Sequence, residues 1–579
     1  LGETNINVFK NNITNNNGKG ISISKYSAIA AFLNGSESFT STNPFNPYHI
    51  FNSDISSIYL GSEGVYLNLS GIYSVYSMIS DNIVSDNGEY GILVLDSENL
   101  WIRNNVFSCN GLSGVLLSGF DGSVLSDNVF IGNGVGVSLD SSNGNNIFNN
   151  SFIGNVAGID VGSNDNNIIL NVFSNCTDDI VLRGNRNIIS GNKFFNSKSD
   201  SISVYGYQNT IKNNKINNSK GYGVYLGSSN NIISNNDFVN IKCVYVGSDN
   251  NSILLNSFSG GVNGIIISGV KNVIRDNSIS NTKSNSVSVY GYKNTIKNNK
   301  INNSKGYGIS LFAYGNNVTY NSLINNYKSL YIDSDENVFS YNNIIGSKSD
   351  GLTILGFSNV FKKNIINGSW FGYGVKLQGS YNVFEDNKIF KFGCGLYTRT
   401  YNLVYNNRVD VKNVGISAKG NYNYLFKNNI ISKKYAVTVN GKYNELDSNK
   451  ITSKIGITIN GDKNKIKNNQ IKSKSYGISI KGHKNTLYAD IISKNKKFGA
   501  QILGHKNTIK KCTITKNKGH GIKIIGNKNI ITRNIIKLNK HHQIKLLGVG
   551  NKLTRNKFGV KKNKAVHTVY SRNNFNKNK

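Results

Sequence analysis

The stretch "GYKNTIKNNKINNSKGYGI" runs from Gly291 to Ile309, and "GYQNTIKNNKINNSKGYGV" runs from Gly206 to Val224, 85 residues earlier. Two positions differ, Lys293 for Gln208 and Ile309 for Val224. The unit inside both is Asn-x-apolar-x-x-Asn-x-apolar, here Asn294, Ile296, Asn299 and Ile301. Its first Asn recurs at eighteen positions from Asn187 to Asn551, seventeen steps over 364 residues or about 21.4 per step. An apolar residue follows each time at offsets two and seven. The second Asn is replaced only at Asp490 and Cys512. The 85-residue gap is therefore four turns of one device, the signature of a repeat architecture.

Each period also carries a third short segment, "GVYL" at Gly223–Leu226, "GISL" at Gly308–Leu311 and "GITI" at Gly456–Ile459. Apolar and polar residues alternate in it, the two-residue period of a half-buried strand. No helical period is sustained, and one bend per strand without reversal describes a coil stacked on itself. The expected fold is all-β, a single-stranded right-handed parallel β-helix of about 25 coils of about 21–22 residues. Asn at offset zero shares parity with the buried apolar residue at offset two, so it faces inward. Copies about 4.8 Å apart can bond up and down the stack. A structural Asn ladder is thus expected, exemplified by Asn272, Asn294, Asn299, Asn321, Asn423 and Asn428. Asn also tolerates the left-handed backbone of a bend.

The phrases "NTIKNNKI", "NVIRDNSI" and "NIITRNII" resemble the parallel β-helix repeat of right-handed pectate-lyase-like solenoids. Relatives of that family include NosD-like proteins and the adhesin-like surface proteins of methanogenic archaea. The resemblance extends from about Asn99 to Phe558. Its motifs specify the fold and are nearly silent on activity.

The 579 residues exceed one ordinary globular core, but a solenoid coil contacts only its neighbours. At about 4.8 Å per coil the stack would be a rod roughly 120 Å long. Three regions are expected: irregular N-terminal coils over 1–80 with an inserted loop near 26–60, a β-helix over 81–400, and strongly basic coils of the same helix over 401–579. Both prolines, Pro44 and Pro47, fall in the inserted loop. Net charge is −12 over residues 1–180, +13 over 181–400 and +34 over 401–579. Such a field attracts polyanions, although lysine on exposed strands also serves solubility. Nucleic acid has no recognised motif or basic helix here. Glycans or acidic wall polymers are the expected partners. The five cysteines are too scattered for a metal site or disulfide framework and read as small buried residues. No apolar run is long enough for a membrane span, and no cofactor is implied. No signal peptide or terminal cap is evident, as expected of a mature form or fragment.

Four constellations could carry chemistry. "NCTDD" at Asn175–Asp179 with "GHG" at Gly519–Gly521 superficially resembles polygalacturonase motifs. Asp179 and His520 are 341 residues apart, too many coils to share one bond, and "GHG" stands where other coils write "GYG". Asp140, Asp160 and Arg183 fall on one exterior face of successive coils, with Asp178 and Asp179 near. The resemblance implies that lyases hold a cation on carboxylates and use an Arg base, so these three are the catalytic candidates of an enzymatic alternative. His483 with His505, and His520 with His542, should stack on adjacent coils, but no third metal ligand is evident. With one Met in the chain, the copper-handling role implied by NosD-like relatives also lacks support. Tyr381, Tyr401, Tyr422 and Tyr443 each precede the repeat Asn in consecutive coils, outside by parity, and are either a stacking device or a carbohydrate-binding platform.

These features spread along the axis, whereas an enzyme should gather acids, Arg and aromatics on a few coils. The function expected is an extracellular or cell-surface, adhesin-like binding rod for glycans or anionic wall polymers. The alternatives are a polysaccharide lyase or glycoside hydrolase, and a purely structural spacer.

Overall fold

The computed structural model describes residues 77–579 except 96–99, 120, 560–564, 570–571 and 579, and before residue 77 only short strands between Asn7 and Asn68. Most of the loop expected near 26–60 lies outside the described residues. Strands 49–50, 54–55 and 65–68 pair with 7–9, 12–14 and 21–24. Those strands pair in turn with 77–80, 83–85 and 90–95. The 49–68 coil therefore stacks outside the 7–24 coil, out of chain order.

The chain forms two compact units, Leu1–Asn294 and Thr295–Lys579. Each is built of three parallel sheets, A, B and C, to which every coil contributes one short strand. In the first unit the repeat quoted above supplies Thr210–Lys212, Lys215–Asn217 and Val224–Leu226. They pair in register with the next coil at Ile232, Asp237 and Val244. In the second unit the same sequence supplies Thr295–Lys297, Lys300–Asn302 and Tyr307–Leu311, paired with Asn317, Ser322 and Lys328. The result is a right-handed parallel β-solenoid, the hand that parallel crossovers require.

The middle residue of each A and B strand points inward, as do the flanking residues of each C strand. Ile211, Ile216, Val224 and Leu226 are fully buried. Like residues stack on like. Phe107, Phe130, Phe152, Phe173 and Phe194 form one interior column with ring centroids 4.7–4.9 Å apart. Coil backbones approach closely at the turn before sheet A, where a Cβ on Gly206 would lie 1.8 Å from the Gly184 carbonyl.

The Asn ladder is present. Asn272, Asn294, Asn299, Asn321, Asn423 and Asn428 are all buried. Along the ladder Oδ1 accepts the backbone N–H of the Asn one coil back, as in Asn272 to Asn294 at 2.7 Å and Asn299 to Asn321 at 2.9 Å. Amide also donates to amide, as in Asn428 to Asn449 at 3.0 Å and Asn423 to Asn444 at 2.9 Å. A third ladder, not evident in the sequence pattern, runs through Asn87, Asn110, Asn133 and Asn155 at the end of sheet B. The left-handed backbone falls on the residue before each ladder Asn, not on the Asn itself. Lys271, Lys293, Asn298, Tyr320, Tyr422 and Lys427 all have φ between 52° and 58°. The ladder Asn thus ends the corner and opens the strand. All five cysteines are free, but only Cys176, Cys243 and Cys512 are buried. Cys109 is exposed and Cys394 half-buried.

Candidate functional site

Side chains that leave the coil do so in columns, because register repeats once per coil. The residue before the first ladder Asn gives the corner column ahead of sheet A. Over eight consecutive coils of the second unit it reads Tyr381, Tyr401, Tyr422, Tyr443, Lys463, Lys484, Lys506 and Lys528, all left-handed with φ of 56–60°. The four tyrosines are 40–59% exposed, as parity requires. Their rings stack on one another at 5.1, 4.8 and 4.9 Å with planes within 8° of parallel. Mutual stacking occupies much of each ring face, so the column presents edges and hydroxyls. Lys463 closes it, its Nζ donating to the Tyr443 hydroxyl at 2.5 Å.

The catalytic candidates lie in the first unit on sheet C. Asp160 and Arg183 form an ion pair. The guanidinium of Arg183 is thereby engaged by Asp160. Asp140 does not join them: register sets Ser138, not Asp140, opposite Asp160. Asp140 is exposed in a column two residues along the strand. The expectation that Asp178 and Asp179 lie together beside this face is corrected for Asp179. Asp179 occupies the inward position that Gly158 holds one coil earlier, and its side chain is fully buried. Burial pushes its carboxyl well above the ordinary range. Its Oδ2 accepts the Ser197 hydroxyl at 2.5 Å, and its Oδ1 has no partner.

The same sheet C face carries a cluster that the sequence reading missed. The outward column Asp160, Val181, Ser203, Tyr225, Tyr245 runs through five coils in register. Tyr225 and Tyr245 stack at 5.6 Å. Tyr222 meets them at 5.8 and 5.3 Å with its plane tilted 31° to each, and Tyr205 meets Tyr225 at 5.7 Å tilted 51°. Tyr225 and Tyr245 lie parallel while Tyr222 and Tyr205 tilt against them, so the cluster presents rings at several angles; Tyr205 is exposed and the other three are half-buried. Lys242 Nζ lies 4.6 Å from the Tyr222 ring centre. Asp200 accepts the Tyr222 backbone N–H at 2.7 Å and the Ser203 hydroxyl at 3.1 Å. Partial burial raises its carboxyl above the ordinary range, and the Asp178 charge adds to the rise. Asp178 Oδ1 in turn accepts the Asp200 backbone N–H at 3.1 Å. Acids and aromatics are therefore gathered here on neighbouring coils, which corrects the picture of features spread evenly along the axis. The signal was "VYL" and "VYV", where Tyr alternates with buried residues.

The histidine pairs stack as their offsets predict, His483 on His505 at 5.1 Å and His520 on His542 at 5.5 Å. Among the described residues no three His, Cys, Asp or Glu gather to hold a metal, and no helix is long and apolar enough to cross a membrane.

The family described as "Right handed beta helix region" matches residues 114–259, 178–327, 313–451 and 435–579. The family described as "Periplasmic copper-binding protein (NosD)" matches residues 32–162. No curated protein matches the chain. Among solved structures, a PL6 family alginate lyase is similar at 11% identity, over 86% of this chain and 97% of that one, with a TM-score of 0.33. That likeness carries no argument about activity or substrate.

Proposed function

The chain belongs to the right-handed β-helix family, and from that premise we propose that it is an extracellular or surface-attached, adhesin-like protein that binds glycans or anionic wall polymers along the exterior of its coils. The observation that supports this most is the sheet C cluster of Tyr205, Tyr222, Tyr225 and Tyr245. Four tyrosines at several angles beside a carboxylate and an ammonium offer aromatic and polar contacts to a sugar at once. The corner column Tyr381–Tyr443 adds a second surface of ring edges and hydroxyls. Changing Tyr225 and Tyr245 together to Ala should weaken glycan binding by the full chain roughly tenfold or more, at about 0.5–1.5 kcal/mol per lost ring contact. Undiminished binding would remove the cluster from the site.

One observation favours a second reading, a glycoside hydrolase or polysaccharide lyase on the same face. Asp178 and Asp200 are carboxylates on adjacent coils, and the environment of Asp200 keeps its proton to higher pH. A carboxyl that keeps its proton to higher pH, with a second carboxyl one coil away, suits a general acid and its partner. Turnover of a polysaccharide, lost in Asp200→Asn, would establish this reading.

A further inference from the structure

Beyond the tyrosines, the corner column of the second unit continues as Lys463, Lys484, Lys506 and Lys528 on four consecutive coils. The column beside it holds Asp462, His483, His505 and Asn527. Together these eight residues line an open groove of about 520 Å³. The neighbouring column is bound down along its length. Asp462 Oδ1 accepts the His483 backbone N–H at 2.9 Å, His483 Nδ1 that of His505 at 3.0 Å, and His505 Nδ1 that of Asn527 at 2.8 Å. With Nδ1 an acceptor, each imidazole carries its proton on Nε2. The groove is therefore lined by four ammonium groups and two imidazole N–H donors.

Like charges stacked at one coil spacing, about 4.8 Å, repel one another. Ion pairs elsewhere in this unit hold Lys362, Lys376, Lys442 and Lys467. Among the described residues, none of the four groove lysines has such a partner. Asp462, the one acid in the groove, lies 3.5 Å from Lys442 Nζ. The counter-charge is left to a ligand, and its form follows from the lining. A row with one cation per coil suits a linear chain of single charges. A duplex nucleic acid presents a charge per about 1.7 Å of axis and winds away from a straight row. Single-stranded nucleic acid is held by stacking its bases on aromatic rings, and the ring at the groove's end, Tyr443, is covered by Lys463 Nζ 4.9 Å from its centre. The groove has no arginine, whose planar fork binds carboxylate and phosphate alike; its lysines present compact charges with three donors each, the form in which lysine binds phosphate.

We propose that this groove binds a linear polymer of singly charged phosphodiesters without bases, of the polyol phosphate type. The inference rests on the exterior-binding reading and deepens it by giving one anionic ligand class its own site. The test titrates the full chain with fluorescent poly(glycerol phosphate) over a range of salt. The wild type should bind, with affinity falling steeply as salt rises. Lys484→Gln with Lys506→Gln should weaken binding roughly tenfold and lower the slope of log K against log salt by about 1.4, at about 0.7 per lost phosphate contact. Lys450→Gln with Lys472→Gln removes the same charge from exposed positions of sheet B and should change affinity less than twofold. Tyr225→Ala with Tyr245→Ala should leave this binding intact, which separates the groove from the glycan surface. Equal losses in the two lysine pairs would overturn the site. So would no binding by the wild type, or tighter binding of oligo(dT) or polygalacturonate than of the phosphate polymer.

Discussion

Asp490 stands where the second ladder requires Asn. Its Oδ1 plays the amide oxygen's part, accepting the backbone N–H and the Nδ2 of Asn469, both at 2.9 Å. In the coil before, Asn469 Nδ2 donates to the Leu446 carbonyl at 3.0 Å. An Asp in that pose points an oxygen where a donor belongs, and Oδ2 has no partner. Burial pushes its carboxyl up to about 7. A folded pKa above the unfolded value stabilises the protein fully below the unfolded value, near 4. That contribution is lost as pH rises through about 7. Asp490→Asn should therefore change stability little at pH 4 and raise it by about 1–3 kcal/mol at pH 8. Urea melts of both proteins at the two pH values check this, and an equal difference at each would contradict it. At an intact rung, Asn299→Ala should cost about 1–3 kcal/mol by leaving amides unpaired. Exposed Lys297→Ala should cost under about 0.5 kcal/mol. Equal urea midpoints for the two variants would refute the ladder's role.

At the scale of the element, stacking of like on like sets both strength and legibility. Phe152 lies between Phe130 and Phe173 in the interior column, so Phe152→Ala should cost about 3–5 kcal/mol. Changing exterior Tyr401 and Tyr422 to Ala opens no core cavity and should cost less; thermal melts compare the pairs. The strands, their inward residues and the two Asn columns that flank sheet A were legible because parity and spacing repeat in every coil. The left-handed corner was not, since its occupants include Tyr, Lys, Arg, Asp, Glu, Asn, Gln, Ser and Gly, with no common chemistry. Asp179 was misplaced because its neighbours read as an exterior acidic run. Its alignment with Gly158 emerges only once the coils are set in register. The sheet C tyrosines escaped for a related reason. Tyr222 precedes its strand, and only the turn brings it against Tyr225 and Tyr245.

Across the whole molecule the charge runs from −12 over residues 1–180 to +34 over 401–579. The sheet C cluster lies between these in sequence, and the lysine groove within the basic third. Binding of acidic polymers by the full chain should therefore weaken steeply with salt, while contacts with neutral sugars at the tyrosines should be nearly insensitive to it. The central claim is that these surfaces bind without turnover. It is tested most directly by offering the wild-type chain an array of neutral and acidic glycans and assaying each bound one for new reducing ends and unsaturated sugars. The account predicts retained binding and no product. Product released from any of them, and abolished in Asp200→Asn or Asp160→Asn, would contradict it.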